Sequence, residues 1–187
     1  MVTNVKKTCQ QYQPKTIEEF HNKDVAQSVI DWIHSYKKKE STKKALIING
    51  SSGVGKTLMI NLVIKYMKYF MYYFDSSISR KRSWVNETLY EIVNTKSFFI
   101  PDRVIVIDDM DAFTNTNDFG GISEIVKLIN PLKGSNCVAK ADKIARDNIW
   151  KIPIIMICNN IKSNKFTDLV KECNVIHLPN ATDDELY

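Results

Sequence analysis

Cysteine, proline and glycine are all scarce in this chain, at 4, 5 and 6 of 187 residues. The cysteines are Cys9, Cys137, Cys158 and Cys173, and no pair has C-x-x-C or metal-ligand spacing. That argues against a zinc ribbon, a dithiol redox centre and a disulfide scaffold, and points to a reducing, intracellular compartment. The beginning of the sequence lacks the apolar stretch of a signal peptide. No hydrophobic run reaches membrane-spanning length, so no membrane partner is expected. Residues 58–74 come nearest, but Asn61, Lys65 and Lys68 interrupt them, and they read as a core helix running into a strand. Internal repeats and long low-complexity segments are missing too.

What is present is the composition of an ordinary globular domain, 44% hydrophobic and 25% charged. The length suits one domain with a substantial core. A net charge of +5 is compatible with a polyanionic partner such as nucleotide or DNA, without requiring one.

Apolar spacings of three and four at Val25, Val29, Ile30 and Ile33 predict a helix within residues 16–36. Residues 45–49 are apolar without alternation, as in a strand buried on both faces. Further strands are predicted at 70–74, 104–107, 154–157 and 175–178. Helices are predicted from Lys56 onward and at 84–93, 122–129 and 167–172. Residues 115–121 read as a polar loop. Residues 131–151 read as polar and irregular, with a helix around 142–148. Strands alternating with helices predict an α/β fold with a five-stranded parallel sheet covered on both faces.

The chemistry is concentrated where the first strand meets its helix. Gly50-Ser51-Ser52-Gly53-Val54-Gly55-Lys56-Thr57 fits G-x-x-x-x-G-K-[ST], the P-loop. Glycines let the backbone curl so that successive N–H groups face phosphate oxygens. The helix that follows turns its positive end to the same anion. Lys56 can reach the β- and γ-phosphates, and the Thr57 hydroxyl can ligate Mg²⁺. The expected ligand is a nucleoside triphosphate, ATP first, with Mg²⁺. A buried run, Val104-Ile105-Val106-Ile107, delivers Asp108 and Asp109. Asp108 would hold the metal, directly or through water, and Asp109 would orient or deprotonate the attacking water. Asn159 ends another predicted strand, and parallel strands present their C-terminal ends to the ligand crevice. It could therefore touch the γ-phosphate or that water.

Taken together, these residues resemble the AAA+ ATPases and, within them, the large subunit of replication factor C, a sliding-clamp loader. The resemblance spans nearly the whole chain. It begins at Tyr12-Gln13-Pro14-Lys15, like the motif beside the adenine pocket, and includes Val29-Ile30-Asp31-Trp32-Ile33. Its most specific part is Asp108-Asp109-Met110-Asp111-Ala112-Phe113, a polar loop, then Gly120-Gly121-Ile122-Ser123-Glu124-Ile125. Residues 152–160 look like the fourth strand and sensor-1 segment, with Asn159 as the sensor. The resemblance implies an extended segment at residues 1–15, a core at 16–187 and an insertion at 131–151. It implies partners as well: small clamp-loader subunits, a sliding clamp of the proliferating-cell-nuclear-antigen type, and primed double-stranded DNA. The place of action would be the nucleus or a viral replication compartment.

Several details depart from the family pattern. The family has Asp-Glu where this chain has Asp108-Asp109, and the shorter Asp109 weighs on hydrolysis more than on binding. Lys171-Glu172-Cys173 stands where small subunits carry a Ser-Arg-Cys motif. The missing arginine finger agrees with a large subunit. The helical lid, with its second sensor arginine, would begin where the sequence ends, and is expected to be absent. Arg80, Lys81 and Arg82 occupy a place that faces DNA in clamp loaders. Phe98 and Phe99 occupy a place like the clamp-binding element, with core packing as the competing use of at least one ring. Two other functions remain open: a non-catalytic ATP-binding assembly subunit and an unrelated P-loop kinase, although no acceptor-site motif is visible.

Overall fold

A computed structural model describes residues 13–75, 77, 82–95, 102–115, 120–130 and 152–180. Five parallel strands form one sheet. In chain order they are β1 (Ala45–Asn49), β2 (Phe70–Phe74), β3 (Arg103–Ile107), β4 (Ile154–Cys158) and β5 (Cys173–His177). Their order across the sheet is β2-β3-β4-β1-β5. Every pairing is parallel, so each connection must cross a face of the sheet, and helices fill both faces.

Alternation along the central strands builds two cores. Leu46, Ile48, Val104, Val106, Ile155 and Ile157 face one side. There they meet α1 (Lys23–Lys37) and α2 (Lys56–Met67). Ala45, Ile47, Ile105, Ile107, Ile154 and Met156 face the other. That side is covered by a helical run that starts as α3 (Arg82–Trp84), widens into a π-helical turn (Val85–Leu89) and ends as α4 (Tyr90–Asn94). The short α5 (Ala112–Asn115), then α6 (Gly120–Ile129) and α7 (Thr167–Glu172), complete it. Burial on both faces is why β1, β3 and β4 read as continuous apolar runs.

Three boundaries differ from the sequence expectation. Residues 16–22 are turns, not helix. Phe20 is folded back through its N–H on Ile17 O at 3.1 Å, and its ring lies 3.2 Å from where a Cβ on Gly55 would stand. Docking that ring takes precedence over extending the helix. The fifth strand begins two residues early, at Cys173, because Cys173 aligns with Ala45 and the pairing runs on to His177 opposite Asn49. The expected loop from Asn115 to Gly121 is helical at both ends, in α5 and α6. The helix expected at 142–148 lies outside the described residues. No helix among the described residues is long and apolar enough to cross a membrane.

Candidate nucleotide site

Register places the chemistry. Asn49 aligns with Cys158, and Ile107 aligns with Met156. Gly50, Asp108 and Asn159 therefore leave three adjacent strands along one edge of the sheet, where a parallel α/β sheet offers its crevice. A cleft of about 690 Å³ opens there, lined by Ser52, Gly53, Gly55, Lys56, Thr57, Asp108, Asp109 and Asn159 among others.

The loop from Gly50 to Gly55 needs its glycines for different reasons. Gly53 and Gly55 sit at φ of +85° and +92°, left-handed backbone that suits glycine. Gly50 is held by crowding, since a Cβ there would lie 2.5 Å from Leu178 O. The Leu178 N–H in turn donates to Asn49 O at 2.7 Å, so β5 buttresses the start of the loop.

Lys56 is buried, and its ammonium donates to Gly50 O at 2.8 Å, Ser51 O at 2.7 Å and Asn159 Oδ1 at 2.8 Å. Burial lowers its pKa, while the charges of Asp108 and Asp111 pull the other way. The sensor-like Asn159 and the P-loop lysine thus meet directly. Thr57 Oγ1 donates to Asp108 Oδ2 at 2.7 Å. The two groups expected to serve Mg²⁺ are in contact, and both offer hard oxygens of the kind that ion prefers. The left-handed loop, the buried ammonium and this oxygen pair fit a magnesium-bound triphosphate. When bound, the ion would neutralise charge on the β- and γ-phosphates. No cluster of three or more His, Cys, Asp or Glu suited to holding a metal unaided occurs among the described residues.

Asp109 lines the same cleft at φ +53°. Asp tolerates this left-handed backbone better than most side chains. That is a local physical reason for the shorter acid at this position.

Two residues of the site were given no role by the sequence. Tyr73 donates its hydroxyl to Asp108 Oδ2 at 2.7 Å. Burial and the neighbouring Asp108 push its pKa above the ordinary tyrosine value. The available signal was its place near the C-terminal end of β2, beside β3. Asp111 accepts from the backbone N–H groups of Asn159 at 2.7 Å and Asn160 at 3.2 Å. Its signal was its spacing three residues after Asp108.

The remaining expectations divide. Tyr12, Arg80, Lys81, Phe98 and Phe99 lie outside the described residues, as does the segment 131–151. Gln13, next to Tyr12, lines the cleft. Arg82 is away from the cleft lining, with Nε 2.9 Å from Oε1 of the buried Glu124. Lys171 is exposed, 3.6 Å from Asp168.

Comparison with known proteins agrees with this geometry. Residues 46–171 match the family described as "ATPase family associated with various cellular activities (AAA)". Replication factor C large subunits are among the relatives. That of Sulfurisphaera tokodaii is 30% identical over 65% of this chain and 28% of its own length. That of Pyrobaculum islandicum is 25% identical over 95% of this chain and 42% of its own length. The chain therefore spans less than half the length of these relatives. The fold is similar to the RuvB Holliday junction branch migration motor of Thermotoga maritima, with a TM-score of 0.59 at 14% identity, over 94% of this chain and 51% of that one. With its P-loop on β1, its acidic pair after β3 and a 2-3-4-1-5 parallel sheet, the chain belongs to the AAA family of ATPases and is distantly related to replication factor C large subunits.

Proposed function

We propose that this chain binds Mg·ATP in the cleft and works as the ATPase module of a clamp-loader-like assembly. The observation that carries the reading is the paired constellation at the strand ends, Lys56 on Asn159 and Thr57 on Asp108. In this reading the loop N–H groups and Lys56 hold the phosphates. Thr57 and Asp108 hold the ion. Asp109 orients the attacking water and takes its proton, and Asn159 faces the γ-phosphate or that water. Tyr12 and Gln13 border the adenine.

Relatedness to replication factor C large subunits supports the partners: small AAA+ subunits, a sliding clamp and primed double-stranded DNA. Arg80 and Lys81 are the proposed DNA-facing cations. Arg82 joins them only with the part of its guanidinium that Glu124 leaves to solvent, since its side chain is 61% exposed. Phe98 and Phe99 are the proposed clamp contact. The activity belongs to a replication compartment, nuclear or viral.

The shorter Asp109 favours a second reading, in which ATP is held as a structural ligand and turned over little or not at all. Steady-state ATP hydrolysis with small subunits, clamp and primed DNA separates the two. The leading reading expects turnover that is lost in Asp108→Ala, and ATP-dependent association with clamp and DNA. Binding of ATP without turnover leaves the structural reading, and no ATP-dependent association removes the clamp-loader role.

A further inference from the structure

We propose that Asp111 is a positioning residue that sets Asn159 against Lys56 and the γ-phosphate, and so ties the end of β3 to the end of β4. The proposal rests on the reading that Asn159 faces the γ-phosphate.

The need for such a group follows from topology. Cys158 is the last β4 residue paired with β1, opposite Asn49. Beyond it β1 turns into the P-loop, so the N–H groups of residues 159 and 160 have lost their ladder partners. Asp111 supplies acceptors for both. Its Oδ2 takes the Asn159 N–H at 2.7 Å, and its Oδ1 takes the Asn160 N–H at 3.2 Å. Oδ1 also takes the Cys158 thiol at 3.4 Å. One carboxylate thus spans three consecutive residues, as a charged acceptor whose bonds are stronger than neutral ones.

Asp111 is itself well held. Met110 N–H donates to Ile157 O at 2.9 Å, Ala112 N–H to Asp109 O at 3.1 Å and Phe113 N–H to Met110 O at 3.1 Å. Met110 and Phe113 are both buried in the core. The turn that carries Asp108 toward Thr57 therefore carries Asp111 toward Asn159. The acid proposed to hold the ion and the support of Asn159 therefore lie on one turn. A displacement of about 1 Å in a positioned group can cost about a hundredfold in rate, so this support bears on chemistry more than on folding.

The test compares wild type with Asp111→Asn, Asp111→Ala and Asp111→Glu in the 187-residue chain. The first readout is the backbone amide proton resonances of Asn159 and Asn160. Both should move upfield in Asp111→Asn and Asp111→Ala, as bonds to a charged acceptor weaken, while amides in α1 stay in place. Unmoved Asn159 and Asn160 resonances would overturn the proposal. This readout needs no nucleotide, so it stands even if the chain binds none and the proposed function fails.

The second readout is the affinity ratio of a slowly hydrolysed ATP analogue to ADP, which reports contact at the γ-phosphate. It should fall about tenfold in Asp111→Asn and by a similar factor in Asn159→Ala. The double variant should fall no further than the lower of the two, the non-additivity expected when one residue acts through another. Asp111→Glu should recover part of the ratio. Equal losses of ATP and ADP affinity in Asp111→Asn, or full additivity with Asn159→Ala, would mean that Asp111 only supports the fold.

Discussion

At the scale of single residues, the site is a set of charged and polar groups held by one another. Asp108 shows this best, since its Oδ2 accepts from both Thr57 and Tyr73, and its Oδ1 accepts from the Asp109 N–H at 2.8 Å. These three bonds fix the orientation of the acid. Asp109 has the proton-accepting task in the proposed reaction. Asp109→Asn should leave ATP affinity within about threefold of wild type and lower turnover by about a hundredfold or more. Turnover above a tenth of wild type would remove Asp109 from that task. Cys158 and Cys173, both buried, make a separate prediction. Burial pushes the thiol pKa of Cys158 up to about 12, with the Asp111 charge adding to it, and burial pushes Cys173 up to about 12. A raised pKa keeps the thiol protonated below it, so both remain thiols at about pH 8 and lack the nucleophilic thiolate. Iodoacetamide on the native chain should leave both unmodified and should label both in denaturant, as read by peptide mass spectrometry. Rapid native labelling of either would contradict the described packing.

Among the elements, the tie between α3 and α6 is the clearest device. Glu124 in α6 is 6% exposed and receives both Arg82 Nε at 2.9 Å and Lys127 Nζ at 2.8 Å. A Cβ on Gly120 would stand 2.9 Å from Arg82 Cβ, so the first turn of α6 and the arginine stem are in close contact. Both cations are substantially exposed, and solvent weakens each pair. Glu124→Gln should therefore cost only about 1 kcal/mol, seen as a fall of roughly 0.5 M in the urea midpoint. An unchanged midpoint would mean that the pairs contribute nothing. Much of this level was legible in the sequence. The apolar runs of β1, β3 and β4 were read to within a residue, because burial on both faces leaves a continuous signal, and the P-loop helix was placed at its first residue, Lys56. The turns at 16–22 were not legible, because they follow from the Phe20 ring docking beside Gly55, a contact between residues far apart in sequence. The roles of Tyr73 and Asp111 were hidden for a like reason. Each meets a partner from a segment distant in sequence, Tyr73 with Asp108 and Asp111 with Asn159 and Asn160, and local pattern does not name such partners.

For the molecule as a whole, the nucleotide cleft joins elements that are otherwise held by separate cores. The P-loop leaves β1 for α2 on one face, while the Asp108 turn leaves β3 for α5 on the other. A ligand held by Lys56, Thr57, Asp108 and Asn159 would connect both sides of the sheet. Ligand binding to the folded state at a hundred times Kd adds about 2.7 kcal/mol of stability. For a domain of this size that corresponds to a rise in Tm of roughly 5–10 °C with saturating Mg·ATP. An unchanged Tm would contradict a ligand that spans the sheet edge. The proposed triphosphate site on the Gly50–Thr57 loop depends on Lys56. Isothermal titration of Mg·ATP into the wild-type chain and into Lys56→Ala, each checked for fold by circular dichroism, tests it most directly. Wild type should bind one ATP per chain saturably, and Lys56→Ala should bind it at least about tenfold more weakly. No binding to the folded wild type, or equal affinity in the two proteins, would contradict it.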